Sequence, residues 1–240
     1  MSSTILITSG KGGVGKTTIA SLLGLSLASE GKNVLLLELD SALRGMDIMF
    51  PDAEPSVYSL GDVLSNSCKA SEAINKVETE EGNLHYMLSP AERYFEFKVK
   101  DLLRLFEGMA DIYDFVLLDC AAGLGRCFDA ANAVSDKKIV VATFDGVSVR
   151  DAALASSLMD GEKYLVINRF KHRQLGEDFN NLDEVVDMTH LRLLGVVPYD
   201  KYLLGASAID SEIITDECDD IALRLLGETV PLNIKRLCKI

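Results

Sequence analysis

Between the apolar run Ile5 to Thr8 and the helically spaced segment that opens at Thr17 lies Gly10-Lys11-Gly12-Gly13-Val14-Gly15-Lys16-Thr17-Thr18, a GxxxxGK[ST] motif. Strand, glycine-rich loop and helix in that order are the context a phosphate-binding loop requires. The residue types follow from the physics. Glycines let backbone N–H groups turn inward onto phosphate oxygens, and the helix that follows presents the positive end of its dipole. A lysine at position 16 suits the β and γ phosphates, and the Thr17 hydroxyl suits Mg²⁺. The loop therefore predicts a nucleotide site built from Gly12, Gly13, Val14, Gly15, Lys16, Thr17 and Thr18.

Apolar runs of strand length recur at Ile5 to Thr8, Val34 to Leu39, Leu84 to Leu88, Phe115 to Leu118, Ile139 to Ala142, Tyr164 to Ile167 and Leu194 to Val197. Continuous hydrophobicity of this kind predicts strands buried on both faces, as in a parallel sheet. Helical spacing is clearest over Thr17 to Glu30, Val99 to Met109, Val147 to Met159 and Asp219 to Leu226. The alternation implies βαβ units and a doubly wound, mostly parallel α/β sheet flanked by helices. Residues 1–230 read as a single domain and residues 231–240 as a tail. Asp52 to Val57 and Ala91 to Phe97 read as irregular connections within that domain.

Carboxylates at strand C-termini face the ligand edge of such a sheet. Asp119 follows Phe115 to Leu118 and precedes Cys120-Ala121-Ala122-Gly123, a Walker B pattern whose glycine N–H is placed to sense a γ-phosphate. Asp119 is accordingly expected in the Mg²⁺ shell. Asp40 follows Val34 to Leu39; taken alone it is a turn or capping residue, and beside a phosphate loop it is a candidate for catalysis and for the metal. Asn168-Arg169 and Pro198-Tyr199-Asp200 close two further strands at the same edge. They read as ordinary turns or, by their resemblance to the purine-binding elements of a known family of ATPases, as groups that present an amide and backbone to a purine.

Lys+Arg number 24 against 37 Asp+Glu, so the net charge of -13 disfavours polyanion partners, DNA among them. The five cysteines form no CxxC and no histidine cluster accompanies them, so free thiols are expected rather than a disulfide framework or a zinc site. Met1 to Ser3 runs into the first apolar segment without a charged n-region or cleavage site. No stretch approaches the roughly eighteen apolar residues of a membrane span. A cytoplasmic protein follows, with any membrane contact peripheral.

The run Lys11 to Thr18, with its second lysine at the head of the loop, resembles the deviant Walker A motif of the MinD/ParA family of ATPases. The segment Glu38-Leu39-Asp40-Ser41-Ala42-Leu43-Arg44-Gly45-Met46-Asp47, the run Gly146-Val147-Ser148-Val149-Arg150-Asp151-Ala152 and the strand Leu194 to Pro198 are similar to MinD-type members in particular. The resemblance extends from Ile5 to about Thr215. It implies a slow Mg²⁺-dependent ATPase that forms an ATP-bridged homodimer and acts in spatial positioning, such as division-site placement. Alternatives within its reach are a partition ATPase of the ParA kind and a localisation scaffold with little turnover. Lys11 is then the residue that reaches the partner subunit's nucleotide, a cation in trans against developing charge. Lys16 and Asp40 join it as catalytic candidates, Asp40 orienting the attacking water. Arg150 and Asp151 become candidates for contact with an activating protein, with helix capping as the other reading. Two departures stand out: Glu38 replaces the family's aspartate, and Gly45 replaces its asparagine.

Pro231 to Ile240 places Ile234, Leu237, Cys238 and Ile240 on one side of a helical wheel and Lys235, Arg236 and Lys239 on the other. The pattern fits a basic amphipathic anchor on an anionic membrane surface, as the resemblance implies, and equally a last helix capping the sheet. Cys120 and Cys127 flank the segment after the Walker B strand and read as small core residues, with metal binding as the alternative.

Overall fold

The computed structural model describes residues 2–41, 44–92, 95–200 and 211–233. Strand β1 (Ser3–Thr8) leads through helix α1 (Lys16–Ser29) to β2 (Asn33–Glu38). Three short helices follow, α2 (Met46–Met49), α3 (Leu60–Leu64) and α4 (Ala70–Ala73), then β3 (Asn75–Val77) and β4 (Asn83–Met87). The alternation is more regular after that: α5 (Val99–Glu107), β5 (Phe115–Asp119), α6 (Arg126–Val134), β6 (Lys137–Thr143), α7 (Gly146–Ser157) and β7 (Glu162–Phe170). Helix α8 (Leu182–Thr189), β8 (Arg192–Pro198) and α9 (Glu212–Leu225) complete it.

The strands form one sheet in the order β3-β4-β2-β5-β1-β6-β7-β8, parallel except where β3 pairs antiparallel with β4. β1 has β5 on one side and β6 on the other. The chain winds outward from β1 in one direction, returns to β5, then crosses to β6 and winds the other way. That reversal opens a crevice at the C-terminal ends of the central strands.

The apolar strands are continuous because both faces are covered. Ile5 and Ile7 enter a core with Leu22, Leu23 and Leu27 of α1 and Ile221 and Ala222 of α9. Leu6, between them, enters the opposite core with Phe128 of α6, Val149 of α7 and Val185 of α8. Leu35 and Leu37 against Val34 and Leu36 repeat the alternation on β2.

All seven apolar runs form strands, and the four helical segments form α1, α5, α7 and α9. Helix α9 starts at Glu212, well before Asp219, because Ile214 and Cys218 extend its buried stripe through an acidic stretch. The edge strand β3 is additional: with only Asn75, Lys76 and Val77 it carries no apolar run. Asp40 sits two residues beyond the end of β2, not directly after it. Asn168 and Arg169 lie inside β7 rather than after it, at an irregularity in its register with β8 where Arg169 takes φ 56°. Residues 52–57 and 91–97 carry no helix or strand among the described residues. Positions 234–240 of the expected amphipathic tail lie outside the described residues, whereas Leu232, off its apolar face, packs against the core. Among the described residues no helix is long and apolar enough to cross a membrane.

Candidate nucleotide-binding site

Helix α1 starts from a left-handed residue, Gly15 at φ 88°, and no side chain caps its first turn. Its N–H groups are therefore the orphan donors that an anion satisfies. A Cβ at Gly15 would also overlap the Asn168 amide, so glycine is required there for both hand and space. At Gly13, with φ 79°, nothing lies within 4 Å of where a Cβ would stand, and the turn alone demands glycine.

Directly beneath the loop, Lys16 Nζ donates to Asp119 Oδ1 at 3.0 Å and Thr17 Oγ1 donates to Asp119 Oδ2 at 2.6 Å. The Lys16 and Asp119 side chains are 8% and 0% exposed. Asp119 arrives there as the last residue of β5, in register with Ile7 of β1 and Glu38 of β2. Two buried carboxylates side by side need positive charge close by. Lys16 supplies part of it. The remaining donor set, a threonine hydroxyl and a carboxylate, consists of the hard oxygens that Mg²⁺ prefers. The site thus fits a magnesium nucleotide by its uncapped helix, its left-handed glycines and its donor chemistry.

Glu38 has a job that its sequence position hid. Its Oε1 accepts from the N–H groups of Gly45 at 2.7 Å and Met46 at 3.1 Å, and its Oε2 from Ser89 at 3.1 Å. Burial pushes the carboxyl above the usual glutamate range, with the Asp119 charge adding to the push and the three backbone donors opposing it. The loop so held carries Asp40, which is half-buried. It also passes the P-loop: a Cβ on Gly45 would stand 3.9 Å from the Thr17 methyl. A carboxylate in the buried row of an otherwise apolar strand was the signal available for this clamp.

Lys11 lies apart from the Lys16–Asp119 cluster. Its Nζ donates to both oxygens of Asp145 at 3.0 and 3.1 Å, with about a third of the side chain exposed. Asp145 caps α7 by accepting from the Ser148 N–H at 3.0 Å and also accepts from the Thr143 hydroxyl. Burial pushes its carboxyl up, but the Thr143, Ser148 and Lys11 donors together hold it below the usual aspartate range. The Gly123 N–H, expected to face a γ-phosphate, donates here to the Ser9 carbonyl at 2.9 Å.

Asn168 and Arg169 are brought to the phosphate loop itself. Asn168 Nδ2 donates to the Val14 carbonyl at 2.8 Å, its Oδ1 accepts from the Arg169 N–H at 2.8 Å, and Arg169 Nη1 donates to the Gly13 carbonyl at 2.8 Å. In this arrangement they brace the loop backbone. At the end of β8, the Tyr199 N–H donates to the Phe170 carbonyl at 2.8 Å and the Tyr199 ring lies 3.7 Å from the Lys171 ammonium. Asp200 accepts from the Ser211 hydroxyl at 2.6 Å. On α7, Arg150 pairs with Asp151 at 3.2 Å, and Asp151 packs against Gly10 of the loop.

A family described as an AAA domain is matched over residues 2–168. The septum site-determining protein MinD of Bacillus subtilis is 34% identical over 249 aligned positions, which span 98% of this chain and 92% of that protein. Among solved structures, the MinD cell division protein of Aquifex aeolicus superposes with a TM-score of 0.83 at 28% identity, covering 97% of this chain and all of the other. The MinC:MinD cell division complex of the same organism gives a TM-score of 0.84 at 27% identity, covering 97% and 99%. The P-loop with its second lysine, the strand-end carboxylates and these nearly full-length likenesses agree, and the chain belongs to the MinD/ParA family of P-loop ATPases.

Proposed function

We propose that this protein is a nucleotide switch for spatial positioning of the MinD kind: it binds ATP with Mg²⁺, hydrolyses it slowly to ADP and phosphate, and dimerises while ATP is bound. The convergence of Lys16, Thr17 and Asp119 under an uncapped α1 carries this reading. Lys16 would hold the β and γ phosphates, and Thr17 and Asp119 would hold Mg²⁺, whose bound charge neutralises the phosphates. Asp40, on the loop that Glu38 holds, would orient the attacking water. Asn168 and Arg169 keep the loop carbonyls of Val14 and Gly13 turned aside, which leaves the N–H groups to face the phosphates. Near the C-terminal ends of β7 and β8, Asn168-Arg169 and the Pro198-Tyr199-Asp200 turn are the proposed edge of the purine pocket.

Lys11 supports the dimer. A lysine committed to its own nucleotide would join the Lys16 cluster; this one is paired with a neighbouring aspartate, about a third of its side chain exposed, and can exchange that partner for a nucleotide on a second copy. Light-scattering mass is expected to show a dimer for the parent protein with ATP and Mg²⁺, and a monomer with ADP or for Lys11→Ala with ATP. A Lys11→Ala dimer, or a monomer in all three states, would remove Lys11 from this role.

A protein partner is proposed at the outer face of α7, where Val147, Leu154 and Leu158 are exposed beside Arg150 and Asp151. The Aquifex relative is solved as a complex with MinC, which favours a macromolecular partner here as well. We further propose that residues 231–240 form a peripheral anchor that needs two copies to hold, since a few apolar side chains bind a bilayer only marginally. Co-sedimentation with anionic liposomes is expected only with ATP and is expected to disappear when the last ten residues are removed. Equal sedimentation with ADP would dispose of the coupling.

A further inference from the structure

Cys120 and Cys127 sit at the two ends of the segment that follows the Walker B strand, and their Sγ atoms are 3.3 Å apart. Among the described cysteines, Cys68 and Cys218 lie in other parts of the chain and all four are free thiols. Cys120 is anchored: fully buried, it follows Asp119 directly, and its N–H donates to the Ile7 carbonyl of β1 at 3.1 Å. Cys127 is on the first turn of α6 and only partly buried, so a small oxidant can reach it. Its Sγ also stands 3.5 Å from the carbonyl of Leu39, the residue before Asp40. The pair therefore touches three parts of the site at once: the end of β5, the loop that carries Asp40, and the residues 121–126 that include Gly123.

We infer that Cys120 and Cys127 form a peroxide-sensitive dithiol whose reversible disulfide locks residues 121–126 against the sheet and thereby slows the nucleotide cycle. The effect on the cycle rests on the function proposed above; the disulfide and the lock do not. The chemistry balances. The Cys127 sulfur attacks one oxygen of hydrogen peroxide, the O–O bond breaks, and a sulfenic acid forms with release of water. The Cys120 sulfur then attacks the sulfenic sulfur, the S–O bond breaks, and the departing hydroxide leaves as water with the Cys120 proton. Two thiols are oxidised by two electrons and one peroxide is reduced to two waters. A thiol or dithiol reductant reverses the step by exchange.

The geometry asks for little movement. An S–S bond is about 2.0 Å long, so the sulfurs need to approach by roughly 1.3 Å, which side-chain rotation together with a small shift of the first turn of α6 can supply. The bond would draw Cys127 away from the Leu39 carbonyl and close a covalent loop around Gly123, whose N–H already ties to Ser9 at the stem of the P-loop. A reversible sensing disulfide of this kind is also the form that a reducing compartment tolerates.

The test treats the full-length, nucleotide-free protein with a few equivalents of hydrogen peroxide, then counts thiols, maps cross-linked peptides and follows hydrogen exchange. The expected result is loss of two of the five thiols, a single Cys120–Cys127 cross-link, and slowed exchange over residues 121–126, all restored by dithiothreitol and all absent in Cys127→Ser. With ATP, the oxidised protein is expected to turn over roughly a hundredfold more slowly, the scale of an ångström misplacement at a reacting centre. Sulfinic acid on either cysteine without a cross-link, or a cross-link that leaves exchange and turnover unchanged, would overturn the proposal. If the lock forms but the reduced protein itself hydrolyses no ATP, the ATPase reading has failed while the dithiol stands.

Discussion

Lys16→Ala is expected to weaken ATP binding roughly a hundredfold, because a charge-assisted hydrogen bond contributes about 1.5–3 kcal/mol and every 1.4 kcal/mol is tenfold. The same substitution is expected to destabilise the nucleotide-free protein. Asp119 is 0% exposed and, among the described residues, would keep the Thr17 hydroxyl as its side-chain donor, with the Glu38 carboxylate as its neighbour in β2. Removing one partner of a buried ion pair costs about 3–5 kcal/mol where the other charge cannot reach water. Lys16→Met, which preserves the side-chain volume, separates charge from packing and should show both losses. Titration calorimetry with ATP and Mg²⁺ measures the first and urea unfolding the second. Parent-like affinity in both variants would mean that Lys16 is a structural counterion to Asp119 and no phosphate ligand.

Glu38→Ala is the second large effect, and it acts through the fold. Three backbone N–H groups lose their acceptor, and those of Met46 and Ser89 are buried. Each orphaned buried donor costs about 1–3 kcal/mol. Relief of the buried carboxylate offsets part of this, so the expected net loss is about 3 kcal/mol. Because the freed loop carries Asp40, turnover is expected to fall more than nucleotide affinity. Glu38→Gln keeps the shape and one acceptor oxygen but turns its amide donors toward a backbone donor, and should fall between parent and alanine. An unchanged urea midpoint for Glu38→Ala, with unchanged exchange at Gly45 and Met46, would show that the loop is held by other contacts. The family's aspartate at this position is one methylene shorter. The longer glutamate therefore reads as a means of reaching Gly45, Met46 and Ser89 at once, and its consequence lies in loop position.

Continuous apolar runs such as Val34 to Leu39 and Phe115 to Leu118 were legible as strands because they are too short for helices and recur between helically spaced segments, the pattern of a parallel sheet buried on both faces. The edge strand β3 was not: Lys76 is exposed, and the buried Asn75 is held by hydrogen bonds of its amide to the Tyr86 carbonyl and from the Ser56 N–H, so the strand carries no apolar pattern. The short helices had weaker signals still. Helix α3 is announced by Ser59 and Asp62 in a capping box, but five residues are too few to show a period. Helix α9 hid its first two turns beneath acidic residues, although Ile214, Cys218 and Ile221 keep its spacing.

What the sequence determined by itself was everything that depends on residues adjacent along the chain. The phosphate loop is one unbroken motif, its glycine positions follow from local φ, and Asp119 is placed by the strand that ends on it. Partnerships across the sheet were decided only by the tertiary structure. The parallel register puts Glu38 beside Asp119 from residues 81 apart in the chain. The crossing from β5 to β6 and β7 brings Asn168 onto Val14 and Asp145 onto Lys11. The turn into α6 sets the Cys127 sulfur against Cys120. A side chain's identity limits what it can bond, but hydrogen bonds and ion pairs act over about 3–4 Å, and only the fold decides which groups come that close.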